Sequence, residues 1–159
     1  LMKKFLILLF SLAVLSCSDD DGGTETNPNR DLVVGTWNLT ELTISPAQDI
    51  NQDGTTTTNV LSEIDCTITG RITINDNNTW AFTGNDLVIT TITGGLFIFQ
   101  CSDNTRNEGG NCDIEGNILR LADGTGAITF FTFSSWQETL TNIIGDNLPG
   151  LQAEVYTKQ

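Results

Sequence analysis

The amino-acid sequence predicts an all-β fold, a small antiparallel up-and-down β-barrel of about eight strands. Composition is the first reason: Gly, Thr and Asn are abundant, only 17% of the 159 residues are charged, and long helices need more Ala, Leu, Glu and Lys than this. The second is a series of short alternating segments separated by turn residues. The third is the stretch Val33-Val34-Gly35-Thr36-Trp37-Asn38-Leu39. A glycine two residues before a tryptophan opens a run of β-formers there; Gly35 lets the backbone pass close beneath the sheet, and the Trp37 indole plugs one end of the barrel. Hydrophobic residues make up 38% of the chain, which at this length suits one domain with a core of its own.

The chain opens with an address. Lys3 and Lys4 precede the apolar run Phe5 to Leu15, which is too short to span a bilayer, and Ser16 and Cys17 follow. Val14-Leu15-Ser16-Cys17 resembles the lipobox of bacterial lipoproteins. That resemblance implies a signal peptide over residues 1–16 and a lipidated Cys17 as the first mature residue. Ser18-Asp19-Asp20-Asp21-Gly22-Gly23 is similar to the acidic tether that sends lipoproteins of Bacteroidetes to the outer face of the outer membrane. Residues 17–31 therefore read as a lipidated, acidic, flexible tether, and residues 32–159 as the barrel domain.

The first strand runs from Leu32 to about Ile44. Its alternation changes phase between Leu39 and Leu42, the signature of a bulge, and Pro46 ends it. Asp49-Ile50-Asn51-Gln52-Asp53-Gly54 places oxygen ligands at alternate positions before a glycine, like the opening of a calcium loop. Asp49, Asn51 and Asp53 are candidate calcium ligands, and Glu63 closes a looser site than an EF-hand; the competing reading is a polar loop of Asx-turns. Val60 to Ile64 reads as one helical turn. Thr67 to Ile74 alternates strictly, Asn75 to Asn78 turn, and Thr79 to Thr83 returns. Leu87 to Thr93, a Gly94-Gly95 turn and Leu96 to Cys101 form a second hairpin. Ser102 to Asn111 reads as a polar loop, and two strand pieces flank Glu115-Gly116-Asn117. Ile128 to Trp136 carries bulk on both faces, with Leu140 to Ile144 expected as a helical turn or loop covering the outer one. Leu151 to Thr157 is the last strand.

Charge and the missing histidine narrow the function classes. A net charge of −13, from 7 basic and 20 acidic residues, repels nucleic acid and anionic lipid headgroups. With no histidine in the chain, the commonest general base, the Ser-His and Cys-His pairs and the usual zinc ligand are gone. The expectation is a protein that is not an enzyme. Acid pairs such as Glu63 with Asp65, or Asp113 with Glu115, read as solvated loop charge.

Gly35-Thr36-Trp37-Asn38-Leu39, the Asp49–Gly54 loop with Asn59 and Glu63 behind it, Cys66, and the hairpin from Ile72 to Trp80 together resemble lipocalin-like lipoproteins of Bacteroidetes. The resemblance spans most of residues 32–157. It implies a lipocalin-like barrel whose cup holds a small apolar ligand, with Ile72, Ile74, Trp80 and Phe82 lining the cup above the Trp37 plug. It also implies a Cys66–Cys101 disulfide, with Cys101–Cys112 the alternative, since three cysteines remain once Cys17 is lipidated. Lipocalins pack an arginine of the last strands onto the first-strand tryptophan; no residue maps securely to it, Arg120 lying one strand early and Lys158 being a lysine. The expected function is a non-catalytic, lipid-anchored, surface-exposed binder of a small apolar molecule. The alternative is an interaction module with a filled barrel that docks a surface protein or glycan through its loops. No cofactor is expected beyond the candidate calcium, and the membrane is a partner through the lipid alone.

Overall fold

The computed structural model describes residues 27–91, 97–145 and 150–159. The segments expected as signal peptide and most of the tether, with Cys17, and the turn expected at Gly94-Gly95 lie outside the described residues. A one-turn helix, α1 (Arg30–Val33), precedes β1 (Gly35–Gln48), β2 (Thr57–Asn59) and a 3-10 turn at Val60–Ser62. Then come β3 (Gly70–Ile74), β4 (Thr79–Thr91), β5 (Phe97–Glu115), β6 (Ile118–Asp123), β7 (Ile128–Ser134), β8 (Thr139–Ile143) and β9 (Leu151–Lys158). Each strand from β3 to β9 pairs antiparallel with the next, β3 pairs with β1, and β9 returns to β1, so eight strands close a barrel. The short β2 is an extra strand on β1. The fold class is the one the composition and the alternation predict.

The first strand shows how local pattern becomes topology. Trp37 faces inward, and Leu42 and Ile44 do too, although they lie five and seven positions further on, an odd offset that strict alternation would turn outward. The register against β9 slips between Leu39 and Glu41, the bulge that the phase change foretells. Pro46 does not end the strand: β1 continues to Gln48, which pairs with Thr57. A register irregularity between Thr43 and Gln48 spans the proline, so its missing N–H leaves no ladder bond unmade.

Three further expectations are corrected. Both expected hairpins form, but the return strand of the first and the opening strand of the second are one strand, β4, which runs from Thr79 to Thr91 between β3 and β5. Ser102 to Asn111 is strand, not loop: it pairs with β4 from Asn85 back to Thr79. The first half of β5 has β4 as its single ladder partner, because β6 joins only at Gly110. From Asp103 to Gly109 every residue is exposed, and apolar alternation is lost there without loss of the ladder. Leu140 to Ile143 belongs to β8 and closes the barrel wall instead of covering it. The outer face of β7 is accordingly bare, with Phe130 53% exposed and Ile128 also exposed.

The domain begins before residue 32. Asn27 Nδ2 donates to Ile114 O at 2.8 Å and Asn29 Nδ2 to Gly116 O at 2.7 Å. The Arg30 guanidinium donates to Asn75 O, Asp76 O and Asn78 Oδ1 on the β3–β4 turn. Residues 27–31, assigned to the tether from sequence, are thus fastened across the closed end of the barrel. Val33 is fully buried there, and its carbonyl accepts the Trp37 indole N–H at 2.8 Å.

Candidate binding pocket

Two apolar clusters divide the barrel along its axis. The lower one gathers Trp37, Ile72, Ile74, Trp80, Phe82, Leu119, Leu121, Phe131, Phe133 and Leu140 around the plug. Trp37 meets Phe133 edge to face at 6.0 Å, and Phe131 meets Tyr156 at 5.8 Å. Ile72, Ile74, Trp80 and Phe82 do point inward, yet all four are buried within this packed cluster. They are core for the most part, and the open cup expected above Trp37 is largely filled by side chains. The upper cluster joins Leu42, Ile44, Val60, Phe99 and Leu151 beneath the loop that links β1 to β3.

A polar belt lies between them. Arg106 on β5 sits 4.6 Å over the Phe82 ring and pairs with Asp86 at 3.4 Å and Glu108 at 3.1 Å. Across the barrel, Asn142 Nδ2 and the Tyr156 hydroxyl both donate to Glu154 Oε2. Burial first, and then the neighbouring Glu154 charge, push the Tyr156 phenol far above its ordinary range, so it stays a donor. A cavity of about 200 Å³ remains at this level, and three of the four residues expected to line the cup, Ile72, Trp80 and Phe82, line it together with Phe131 and Tyr156. Cys112, the one free cysteine of the described residues, is buried among the lower cluster. Burial raises its thiol pKa, which keeps it inert.

Trp37 is fully buried at the plug position, and Gly35 sits beneath a lysine side chain rather than a neighbouring backbone. Gly35 takes φ +137°, and a Cβ there would lie 3.0 Å from Lys158 Cε, so the lysine stem passes directly over the glycine. Lys158 Nζ then sits 5.4 Å from the Trp37 ring centroid and donates to Leu32 O at 2.6 Å. The position over the first-strand tryptophan is held by a lysine, from the last strand. Its residue type alone could not reveal this; the β1–β9 register, with Trp37 opposite Lys158, does.

The Asp49–Gly54 segment folds as Asx-turns. Asp49 accepts the N–H groups of Asp53 and Gly54 at 3.0 and 2.9 Å, Asn51 Oδ1 accepts from Asp53 N–H at 2.9 Å, and Asp53 Oδ1 from Thr55 N–H at 2.8 Å. The Thr55 N–H and then the Asn51 amide hold the Asp53 carboxyl below its usual range. Glu63 does not swing round to complete a metal cage. It is only 5% exposed, and its Oε2 accepts the N–H groups of Ile50 and Asn51 at 3.2 and 3.4 Å. Among the described residues no group of three acidic or cysteine side chains is placed to hold a metal ion. The oxygens that suggest calcium from sequence serve the backbone instead.

What that loop does build is a pocket. A cavity of about 490 Å³ opens at the end of the barrel away from α1, between the loop, the start of β5 and the Cys66–Cys101 disulfide. Ile50, Ile64, Phe97 and Phe99 give it apolar walls. Gln48, at the last position of β1, lines it while only 8% exposed. The Gln48 Oε1 accepts the Phe97 N–H at 3.2 Å, which fixes the orientation of the carboxamide. Its Nε2 has no hydrogen-bond partner among the described residues, an uncommon state for a buried donor. Gln48 is the residue that sequence reasoning missed, since a lone glutamine after a proline carries no signal. A second depression, about 440 Å³, lies where β1 parts from β3 beside Asn38, Arg71 and Thr83. No buried polar group there lacks a partner among the described residues.

Comparison with protein-family models, with curated proteins and with solved structures finds no match.

Proposed function

We propose that this chain is a lipid-anchored, lipocalin-like binding barrel that takes a small, partly apolar ligand in the pocket at its open end. The observation that carries the reading is Gln48: a strand-end carboxamide, nine-tenths buried on the wall of a 490 Å³ pocket, with one amide hydrogen-bonding group unused. A donor withdrawn from water without an acceptor costs about 1–3 kcal/mol, and because Nε2 is sealed in the wall, a ligand oxygen satisfies it only when the Gln48 side chain turns toward the cavity. Pockets of this size with mostly apolar walls and a few polar groups are the usual form of small-molecule sites. The ligand level thereby moves from the lower cup, which side chains fill, to the rim.

The anchor fits the same picture. Val14-Leu15-Ser16-Cys17 supports lipidation at Cys17, and export to the outer face of an outer membrane follows from the acidic run behind it. Asn27 is fastened at the closed end, so only ten residues of chain lead from the proposed lipid on Cys17 to that end. The pocket then faces away from the membrane, toward whatever reaches the cell surface. Nothing in the pocket or the polar belt assembles an activated nucleophile, and the reading is of a non-catalytic protein.

One observation favours the interaction-module alternative. Phe130 and Ile143, 53% and 73% exposed, lie on the outer face of β7 and β8 together with exposed Ile128, an apolar surface of the kind that marks contact sites. Titrating the purified protein with an apolar, environment-sensitive dye separates the two. Uptake that Ile64→Trp abolishes by filling the pocket, and that Phe130→Ser leaves intact, supports the rim pocket. Absence of uptake by the folded protein, or loss with Phe130→Ser alone, overturns it in favour of the outer face.

A further inference from the structure

Tryptophan is highly buried on average, yet Trp136 is 94% exposed. It sits on the turn between β7 and β8, and that turn is fastened. The Gln137 N–H donates to Ser134 Oγ, the Lys158 N–H donates to Glu138 O at 3.0 Å, and Glu138 takes a left-handed φ of +49°, uncommon outside glycine. The indole is therefore held out in water by an ordered turn. The position of the turn decides what it meets. Lys158 also donates through Nζ to Leu32 O, and the Phe133 N–H donates to Asn117 O. These bonds gather α1, the β5–β6 turn and the β7–β8 turn at the closed end of the barrel. Leu32 on α1 and Ile118 at the start of β6 are exposed there as well, 46% and 37%.

The chain that leads to Cys17 leaves from the same end, where Asn27 is bonded to Ile114 O. Cys17 stands ten positions earlier, and in any conformation ten residues reach no further than about 35 Å. Among the described residues the helix and turns of this end carry two basic side chains, Arg30 and Lys158, and four acidic ones, Asp31, Asp76, Glu115 and Glu138. That balance suits no anionic surface. What the end offers is apolar contact with a neutral one.

Resting on the reading of Cys17 as a lipid anchor, we infer that the closed end docks on the bilayer itself, with Trp136 seated among zwitterionic headgroups and Leu32 and Ile118 beside it. An indole suits that depth because its ring is apolar and its N–H can donate to a headgroup oxygen. Three side chains bury too little area to hold a protein on a membrane from free solution. Behind a short tether the effective concentration is on the order of millimolar, and weak partitioning then suffices. The contact stands the barrel on its closed end and turns the rim pocket outward, an orientation that a flexible tether by itself does not impose.

The protein carries its own probe, since Trp37 and Trp80 are 0% and 7% exposed and an aqueous quencher such as acrylamide reads Trp136. The full lipidated chain is reconstituted in phosphatidylcholine vesicles and compared with soluble Cys17→Ser. Acrylamide quenching should fall about threefold or more on the vesicles, and phosphatidylcholine with brominated acyl chains should quench the emission instead. Trp136→Ser, at a site without packing, should float with the vesicles and lose both effects. Trp136 as open to acrylamide on vesicles as in solution, or equal quenching by brominated lipid in parent and Trp136→Ser, overturns the docking. Shielding from acrylamide without quenching by brominated lipid assigns Trp136 to a protein contact and also overturns it. If the parent floats with vesicles while Trp136 stays open, only this inference falls; if the parent does not float at all, the anchor falls and the docking with it.

Discussion

Trp37 is fully buried, hydrogen-bonded to Val33 O and covered by Lys158, so nothing around it can relax into a void. Trp37→Ala should cost about 3–5 kcal/mol, read from denaturant midpoints. Phe82 lies in the same cluster under the Arg106 guanidinium. Were it the wall of an open cup, truncation would be cheap; as packed core, Phe82→Ala should fall in the same range, about 3–5 kcal/mol. A loss for Phe82→Ala well below that for Trp37→Ala would reopen the cup. Asp123, at the β6–β7 turn, offers a pH test. Its Oδ1 accepts from the Thr125 hydroxyl and from the N–H groups of Thr125 and Ala127, and these bonds, the hydroxyl foremost, depress its pKa. A depressed carboxylate stabilises the fold above its unfolded pKa, and that contribution fades as pH falls through the folded value. Asp123→Ala should therefore be destabilised at pH 7 and indistinguishable from the parent at pH 2, by urea denaturation at both. A gap that persists in acid would assign the effect to turn conformation, not to charge.

The Asp49–Gly54 loop shows how one pattern of residues serves two chemistries. Alternating Asp and Asn before Gly suits a calcium loop and equally a series of Asx-turns, because both use side-chain oxygens aimed inward at the bend. Here the N–H groups of residues 53, 54 and 55 take them. Millimolar calcium added to chelated protein should leave the melting temperature unmoved. A rise that Asp53→Ala removes would restore the metal. The same loop leads to Cys66, joined to Cys101, 35 positions further along the sequence. Loop-closure entropy makes such a bridge worth about 3–4 kcal/mol. Non-reducing peptide maps should show Cys66 with Cys101, and alkylation of Cys112 only after denaturation; a Cys101–Cys112 peptide would contradict the pairing. Strand β5 is the element that the sequence hides. Hydrophobic alternation reports burial, and the polar stretch Ser102–Asn111 is held in the sheet by its ladder to β4 instead.

At the scale of the molecule, the closed end gathers α1, the plug and the attachment to the tether, whereas the disulfide, the Asx-turn loop and the rim pocket share the other end. On the proposed reading, anchoring and binding would be separated by the length of the barrel. Cys17→Ser should release the protein from the membrane fraction without altering its melting temperature, since each buried methylene of an acyl chain contributes about 0.8 kcal/mol to retention. Detergent partitioning equal to that of the parent would remove the anchor from this account.

Period-two patterning, turn residues and the Gly35-Thr36-Trp37 opening were enough to specify the all-β class, the barrel, its plug and the bulge in β1, because these depend on which residues must leave water and how the backbone bends locally. Cys66 and Cys101 were also visible as partners, through their resemblance to a known pattern. The filled cup was not visible, since an inward isoleucine reads alike whether it meets a cavity or another side chain. Nor were the Lys158 cover on Trp37, the strand character of Ser102–Asn111, or the solitary amide of Gln48. Each depends on which residue the closed sheet sets opposite it, and that register is decided only when β9 meets β1 across the whole chain.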